Sequence, residues 1–302
     1  SFQPGSSFMY RFVAYPAGTH WWHSHDGVQF ADGLSGPLIV HPKKQEARKI
    51  GKDVVLFLSD WSKRTATEEL LVLKSASEIT KNSKKVDGRS MDSDTWGDIS
   101  DAAWYGVLGN NESLLRLNPE SAAVAGSGAA ALAKALSSNT QPLRLRIICA
   151  TSNQMFVISV PNVKLTVVAL DGQLIEPFGP VTSIQCASGD RIDAIVPAGA
   201  AVDSDLALLV SDVDGSDGAV ASASATKPSL TLSPFWSVAG KCDSAGDTFD
   251  NTCISAMYER GLKGAQELLS EFPSGKVDKE FKMVLGGSMA NPYAWYINNI
   301  KF

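Results

Sequence analysis

A chain of 302 residues, 44% of them hydrophobic, can form one large domain or two ordinary ones and is apolar enough to build buried cores. Its net charge of -5, with 27 basic residues scattered along the sequence, leaves no basic stripe for nucleic acid, and no run is long and apolar enough for a membrane helix. The sequence opens at Ser1 directly on a strand pattern, without an initiating Met or a signal-peptide pattern, and is expected to be cut from something longer.

Residues 7 to 15 (SFMYRFVAY) alternate as a strand does, Pro16-Ala17-Gly18 predicts a turn, and Thr19 to His25 reads as the next strand. All four histidines lie between His20 and His41. On an extended backbone residues i and i+2 project to one face, so His23 and His25 stand side by side while His20 points the other way. Neutral imidazole is a common ligand of copper and zinc, with one ring nitrogen free for metal when the other hydrogen-bonds elsewhere. In isolation, though, a His-x-His pair is more often two satisfied polar histidines. Asp32 either sets the turn before Gly33 or orients a ligand from behind. Trp21 and Trp22 are expected to pack across a domain boundary, and His41, at a strand end beside Pro42, to lie at the surface.

Further along, Pro37 to Val40 and residues 53 to 61 (DVVLFLSDW) read as strands, and the polar, aperiodic stretch Lys74 to Asp94 as a surface excursion. Ala122 to Leu136 is Ala-rich and predicts one short helix whose first half is broken by Gly126 and Gly128. From Pro142 the pattern is β: Leu143 to Ala150, Met155 to Val160, Val163 to Leu170, Ser183 to Ala187, Arg191 to Val196 and Asp205 to Val210, with a turn at Asp171-Gly172. Short strands in succession, turn signals and little helix make this an all-β sandwich. The acidic stretch Asp212 to Gly218 lacks the Gly and Glu positions of a calcium loop and reads as a solvated turn. Phe281 to Leu285 and Trp295 to Phe302 are two late strands. Cys149 and Cys186 alternate with apolar residues and are expected as buried, inert thiols, whereas Cys242 and Cys253 flank a polar loop that a disulfide would tie. Asn111-Glu112-Ser113 is a glycosylation sequon.

The stretch GTHWWHSHDGVQFADGLSGPLIVHP, Gly18 to Pro42, resembles the second histidine motif of the multicopper oxidases, the family of laccases, ferroxidases and ascorbate oxidase. Later pieces follow in the order of that family's second domain: DVVLFLSDW, then RLRIICA, LTVVALDGQLIEP and SGDRIDAIVPA, with Cys149 standing where the family usually has Asn. WYINNIKF resembles the opening of its third domain. The resemblance implies Greek-key cupredoxin-like domains: 1–42 as the end of a first, 43–262 as a second with surface insertions, and 263–302 as a linker and the start of a third. It implies that His23 and His25 each bind a different copper of the type 3 pair within a trinuclear cluster. The full-length enzyme would then oxidise a phenol or metal-ion donor with dioxygen, in an extracellular or cell-surface setting.

Four histidines, none after His41, are too few for the family's copper sites, and no histidine lies near any cysteine to form blue copper. The chain alone is therefore expected to be inactive and to need the missing parts of its first and third domains, or another chain, to complete its fold. The alternative is a copper-free cupredoxin-like module with a structural or adhesive role. A cupredoxin sandwich needs about 100 residues. The ordered core is accordingly expected between about Asp53 and Pro234, with the first 42 residues as a loosely held half domain.

Overall fold

The computed structural model describes residues 4–42, 52–62, 64–71, 106–116, 127–152, 154–204 and 207–212, with short strand pieces at 85–86, 89–90, 218–221, 248–249, 285–288, 291–297 and 300–301. The strands are β1 (Gly18–His23), β2 (Ser35–Val40), β3 (Lys52–Trp61), β4 (Lys85–Val86), β5 (Arg89–Ser90), β6 (Gly106–Gly109), β7 (Glu112–Ser113), β8 (Leu115–Arg116), β9 (Leu143–Cys149) and β10 (Phe156–Ser159). They continue as β11 (Leu165–Leu170), β12 (Gln173–Val181), β13 (Ser183–Cys186), β14 (Arg191–Val196), β15 (Leu208–Asp212), β16 (Gly218–Ala221), β17 (Thr248–Phe249), β18 (Leu285–Ser288), β19 (Asn291–Ile297) and β20 (Ile300–Lys301). The helix α1 (Ser127–Ser137) starts just past Gly126, where the sequence places the break.

Two sheets form the sandwich. One has seven strands in the order β12-β11-β14-β9-β3-β6-β7, and the other has six, β17-β13-β10-β15-β16-β8. Consecutive strands cross between them, as β9 to β10 and β10 to β11 do, which is the Greek-key habit. Period-2 alternation explains which residues fill the gap: Leu145, Ile147, Cys149, Val167 and Ala194 face inward from one sheet, and Phe156, Ile158, Ile184, Cys186 and Val210 from the other. Leu132, Ala133 and Leu136 bring α1 into the same core, so the Ala-rich stretch adds to the core and is not only a surface insertion.

Three expectations are corrected. Cys149 and Cys186 are not separate thiols: they form a disulfide between β9 and β13, with their Cα atoms 6.2 Å apart, joining the two sheets through the core. The two cysteines lie on facing inner surfaces, a relation visible only once the sheets are assembled. Residues 7–15 form no strand, because no described strand pairs with them, and Phe8, Met9, Tyr10, Phe12, Val13 and Tyr15 are exposed. The first 42 residues are not loose as a whole. The main core does fall within 53–234, yet the β1–β2 hairpin is seated on the outer face of the seven-stranded sheet.

That seating explains an oddity of β9. All seven of its residues are buried, although an outer strand face usually meets water. Ile148 and Ala150 join Phe57 beneath Trp21 and Ile39 of the hairpin, while Arg144 and Arg146, on the same face, meet Asp193, to which Thr19 of the hairpin also bonds. At Gly18 the hairpin approaches closely enough that a Cβ would sit 2.7 Å from the Cα of Gly172, so only glycine allows this contact. Gly172 belongs to the two-residue turn joining β11 to β12, where Asp171 and Gly172 both have positive φ, as the sequence anticipates. The edge strand β12 is not apparent in the sequence because its two prolines and a glycine mask the alternation. Cys242 and Cys253 lie outside the described residues.

Candidate metal centre

Strand β1 pairs antiparallel with β2, from Gly18 opposite Val40 to His23 opposite Ser35. Past His23 the ladder ends, but Ser24 N donates to Leu34 O at 2.9 Å and holds the chain in line one step further. The Ser24 hydroxyl accepts from Asp26 N at 3.1 Å and donates to Gln29 Oε1 at 2.8 Å, folding the following loop. Trp21, His23 and His25 consequently remain on one face and stack in series. The Trp21 and His23 rings lie 4.5 Å apart with 30° between their planes, and His23 and His25 lie 4.6 Å apart at 29°. Phe30 closes the stack from the side, 5.0 Å from His23 and 5.4 Å from Trp21.

His23 Nδ1 sits 3.0 Å from the carbonyl of Ser24. With the proton on Nδ1 this nitrogen donates, leaving Nε2 with its lone pair outward, the state in which histidine binds a metal. His25 is exposed and makes no hydrogen bond to the described residues. The two imidazoles therefore fit the nitrogen donor set that copper takes. Among the described residues no group of three or more His, Cys, Asp or Glu side chains converges, so those residues offer a metal the two rings and no more.

The remaining sequence candidates separate from the pair. His20 points away, its Nε2 2.9 Å from Pro16 O, and His41 is exposed. Trp21 packs on Phe57, Ile148 and Ala150 of the seven-stranded sheet, but Trp22 is half exposed over Gly36. Asp32 accepts from Ala66 N at 2.6 Å and thereby ties the hairpin loop to a helical turn over 66–71. That turn begins with a capping box: Glu68 accepts from Thr65 N at 2.8 Å, and Glu68 N donates to Thr65 Oγ1 at 3.3 Å. The Thr65 N–H first, and its hydroxyl second, hold the Glu68 carboxyl below the usual carboxylate range. Between this turn and the loop lies a cavity of about 330 Å³, bordered by Phe30, Asp32, Asp60, Trp61 and Asn111. Asp60 is itself engaged, accepting from Ser152 N and Gln154 N.

Sequence reading passes over Thr19, Arg146 and Asp193, which form a buried polar group under β1. The signal was there: a charge in the middle of each of two apolar strands, RLRII and RIDAIV, predicts a pair that satisfies both.

Two sheets packed as a Greek-key sandwich, with a histidine-bearing hairpin laid across one face, define a cupredoxin-like β protein. The chain belongs to the multicopper oxidase family, whose models, both described as multicopper oxidase, match residues 1–45 and 52–228. It is 30% identical over 206 residues to copper resistance protein A of Pseudomonas syringae pv. tomato, covering 64% of this chain and 33% of that protein. Identity is also 30% over 198 residues to laccase-1 of Cryptococcus neoformans var. neoformans serotype D, covering 64% of this chain and 28% of the laccase. Over 59 residues it is 52% identical to the iron transport multicopper oxidase FET3 of Gibberella zeae, covering 19% and 10%. The crystal structure of Fet3p, a multicopper oxidase that functions in iron import, superposes with a TM-score of 0.53 at 15% identity, over 95% of this chain and 46% of that one, a likeness of fold. The chain thus spans about a third of the length of the relatives it matches along most of its length.

Proposed function

We propose that this chain is the middle portion of a three-domain copper oxidase that couples one-electron oxidation of a donor, a phenol or a metal ion, to reduction of dioxygen to water. In this reading residues 1–42 end the first cupredoxin domain, 43–262 form the second and 263–302 lead into the third. His23 and His25 each contribute one imidazole to a different copper of the type 3 pair. The observation that carries the reading is the stacked His23–His25 pair, with His23 Nδ1 at the Ser24 carbonyl and Nε2 left free.

Bound copper would supply the one-electron redox chemistry that joins donor to dioxygen. The chain's own part is to hold two imidazoles on one face, with the apolar rings of Trp21 and Phe30 on the inner side of the stack and His25 on the exposed side. An extracellular or cell-surface location is supported by the Cys149–Cys186 disulfide, which forms in oxidising compartments. No helix among the described residues is long and apolar enough to cross a membrane.

Copper analysis and dioxygen uptake on the longest natural chain containing these residues test the proposal. His23→Ala or His25→Ala is expected to remove copper and abolish uptake. A natural chain that binds no copper would instead support the structural or adhesive reading. The 302-residue chain by itself, with copper added, is expected to consume no dioxygen with a phenolic donor.

A further inference from the structure

The strand that carries His23 is fixed to the sandwich at Thr19, which touches neither imidazole, and at Trp21, which stacks on His23. Thr19, Trp21 and His23 alternate along β1 and share the face turned toward the seven-stranded sheet. Thr19 is fully buried; its hydroxyl donates to Asp193 Oδ1 at 2.7 Å and accepts from Arg146 Nη1 at 2.8 Å. A hydroxyl set between a carboxylate and a guanidinium is oriented by two charge-assisted bonds, roughly twice as strong as neutral ones. Asp193 also takes Arg144 at 2.7 Å and Arg146 at 3.3 Å, and Arg146 reaches on to Asp53 at 2.9 Å. Asp193 stands opposite Arg146 in the β9–β14 ladder, so main-chain register fixes both charges. The Arg146 Nε is buried without a hydrogen-bond partner among the described residues, so the guanidinium is oriented by its two Nη groups. Farther along the same face, Trp21 packs on Phe57, Ile148 and Ala150 and carries the His23 ring on its own.

We propose that Thr19 and Trp21 are positioning residues for the His23–His25 pair, with Arg146 and Asp193 holding Thr19 in place. The proposal rests on the copper reading of that pair. Thr19 meets both charged partners in only one register of β1, and a one-residue slip would turn Thr19, Trp21 and both imidazoles to the opposite face. Trp21 then sets the tilt: His25 makes no hydrogen bond to the described residues, so its ring takes its orientation from His23, and His23 from Trp21 and the Ser24 carbonyl. Ligand rings off by 10–20° bind metal poorly, which is how residues remote from the copper would act on it.

The test is a Cu(II) titration of the 302-residue chain, reading affinity by competition with a chromophoric chelator and coupled nitrogens by electron paramagnetic resonance. Thr19→Val and Trp21→Leu are each expected to weaken Cu(II) binding about 10- to 100-fold and to diminish the imidazole-nitrogen coupling of the bound copper. Thr19→Ser and Trp21→Phe, which keep the hydroxyl and a ring, restore both readouts. Leu136→Ala, in the core on α1, lowers the melting temperature but leaves Cu(II) binding intact, which separates positioning from general stability. Trp21→Leu keeps the test open should Thr19→Val fold poorly. If both variants bind like wild type while His23→Ala and His25→Ala lose binding, the positioning role is overturned and the copper reading stands. If the histidine variants themselves bind like wild type, the copper reading falls and this inference with it.

Discussion

Removing the Cys149–Cys186 disulfide is expected to be among the most damaging changes to this sandwich. The bond closes a loop across a sequence separation of 37, from β9 in one sheet to β13 in the other. The loop-entropy relation gives about 4 kcal/mol at 25 °C for a loop of that length, to which a Cys149→Ala, Cys186→Ala double variant adds the loss of two buried sulfurs. Against the 5–15 kcal/mol that holds a typical domain folded, such a loss leaves little margin. Urea unfolding followed by far-ultraviolet circular dichroism measures the difference, and the reduced wild-type chain isolates the cross-link from the packing. Peptide mass spectrometry of unreduced protein gives an independent check by finding the 149 and 186 peptides linked. A loss under about 1 kcal/mol, or unlinked peptides in oxidised protein, would refute the reasoning.

The β6–β7 turn offers a sharper contrast. Asn110 and Asn111 both have positive φ, but only the Asn110 side chain works as a tie, accepting from Phe57 N at 2.8 Å and donating to Val55 O at 3.0 Å. Asn110→Gly should therefore cost about 1–3 kcal/mol in chemical denaturation, while Asn111→Gly should be neutral or stabilising; equal effects would contradict the assignment. Burial pushes the Asp190 carboxyl above the ordinary Asp range, against the opposing hydrogen bond from Ala187 N. A pKa raised on folding contributes stability below the unfolded value near 3.9 and loses it as pH rises through the folded value. Asp190→Asn keeps an acceptor for Ala187 N, so its stability relative to wild type should grow across that window; a difference independent of pH would sink the idea. In limited proteolysis the exposed segment 7–15 should be cut first, while Gly18 to Val40 stays with the sandwich; early loss of the hairpin would mean that the Thr19 and Trp21 contacts do not anchor it.

Much of this architecture is legible in local pattern. Period-2 alternation finds β3, β9, β10, β11, β13 and β14, and Asp171-Gly172 announces its turn, because these features depend on neighbours within a few residues. What escapes depends on partners far away in sequence. Residues 7–15 alternate like a strand but have no described strand to pair with, and Cys149 meets Cys186 only because two sheets face each other. The shared face of His23 and His25 follows from extended geometry alone, yet the anchoring of their strand does not. Thr19 is unremarkable in sequence, and its partners Arg146 and Asp193 lie 127 and 174 residues away.

The central claim is that His23 and His25 act together as copper ligands. X-ray absorption at the copper edge, on the 302-residue chain loaded with two equivalents of Cu(II), reads the imidazole bound to each copper directly. One imidazole per copper is predicted for wild type, with one copper lost in His23→Ala and the other in His25→Ala; copper content and environment left unchanged by both substitutions would contradict it.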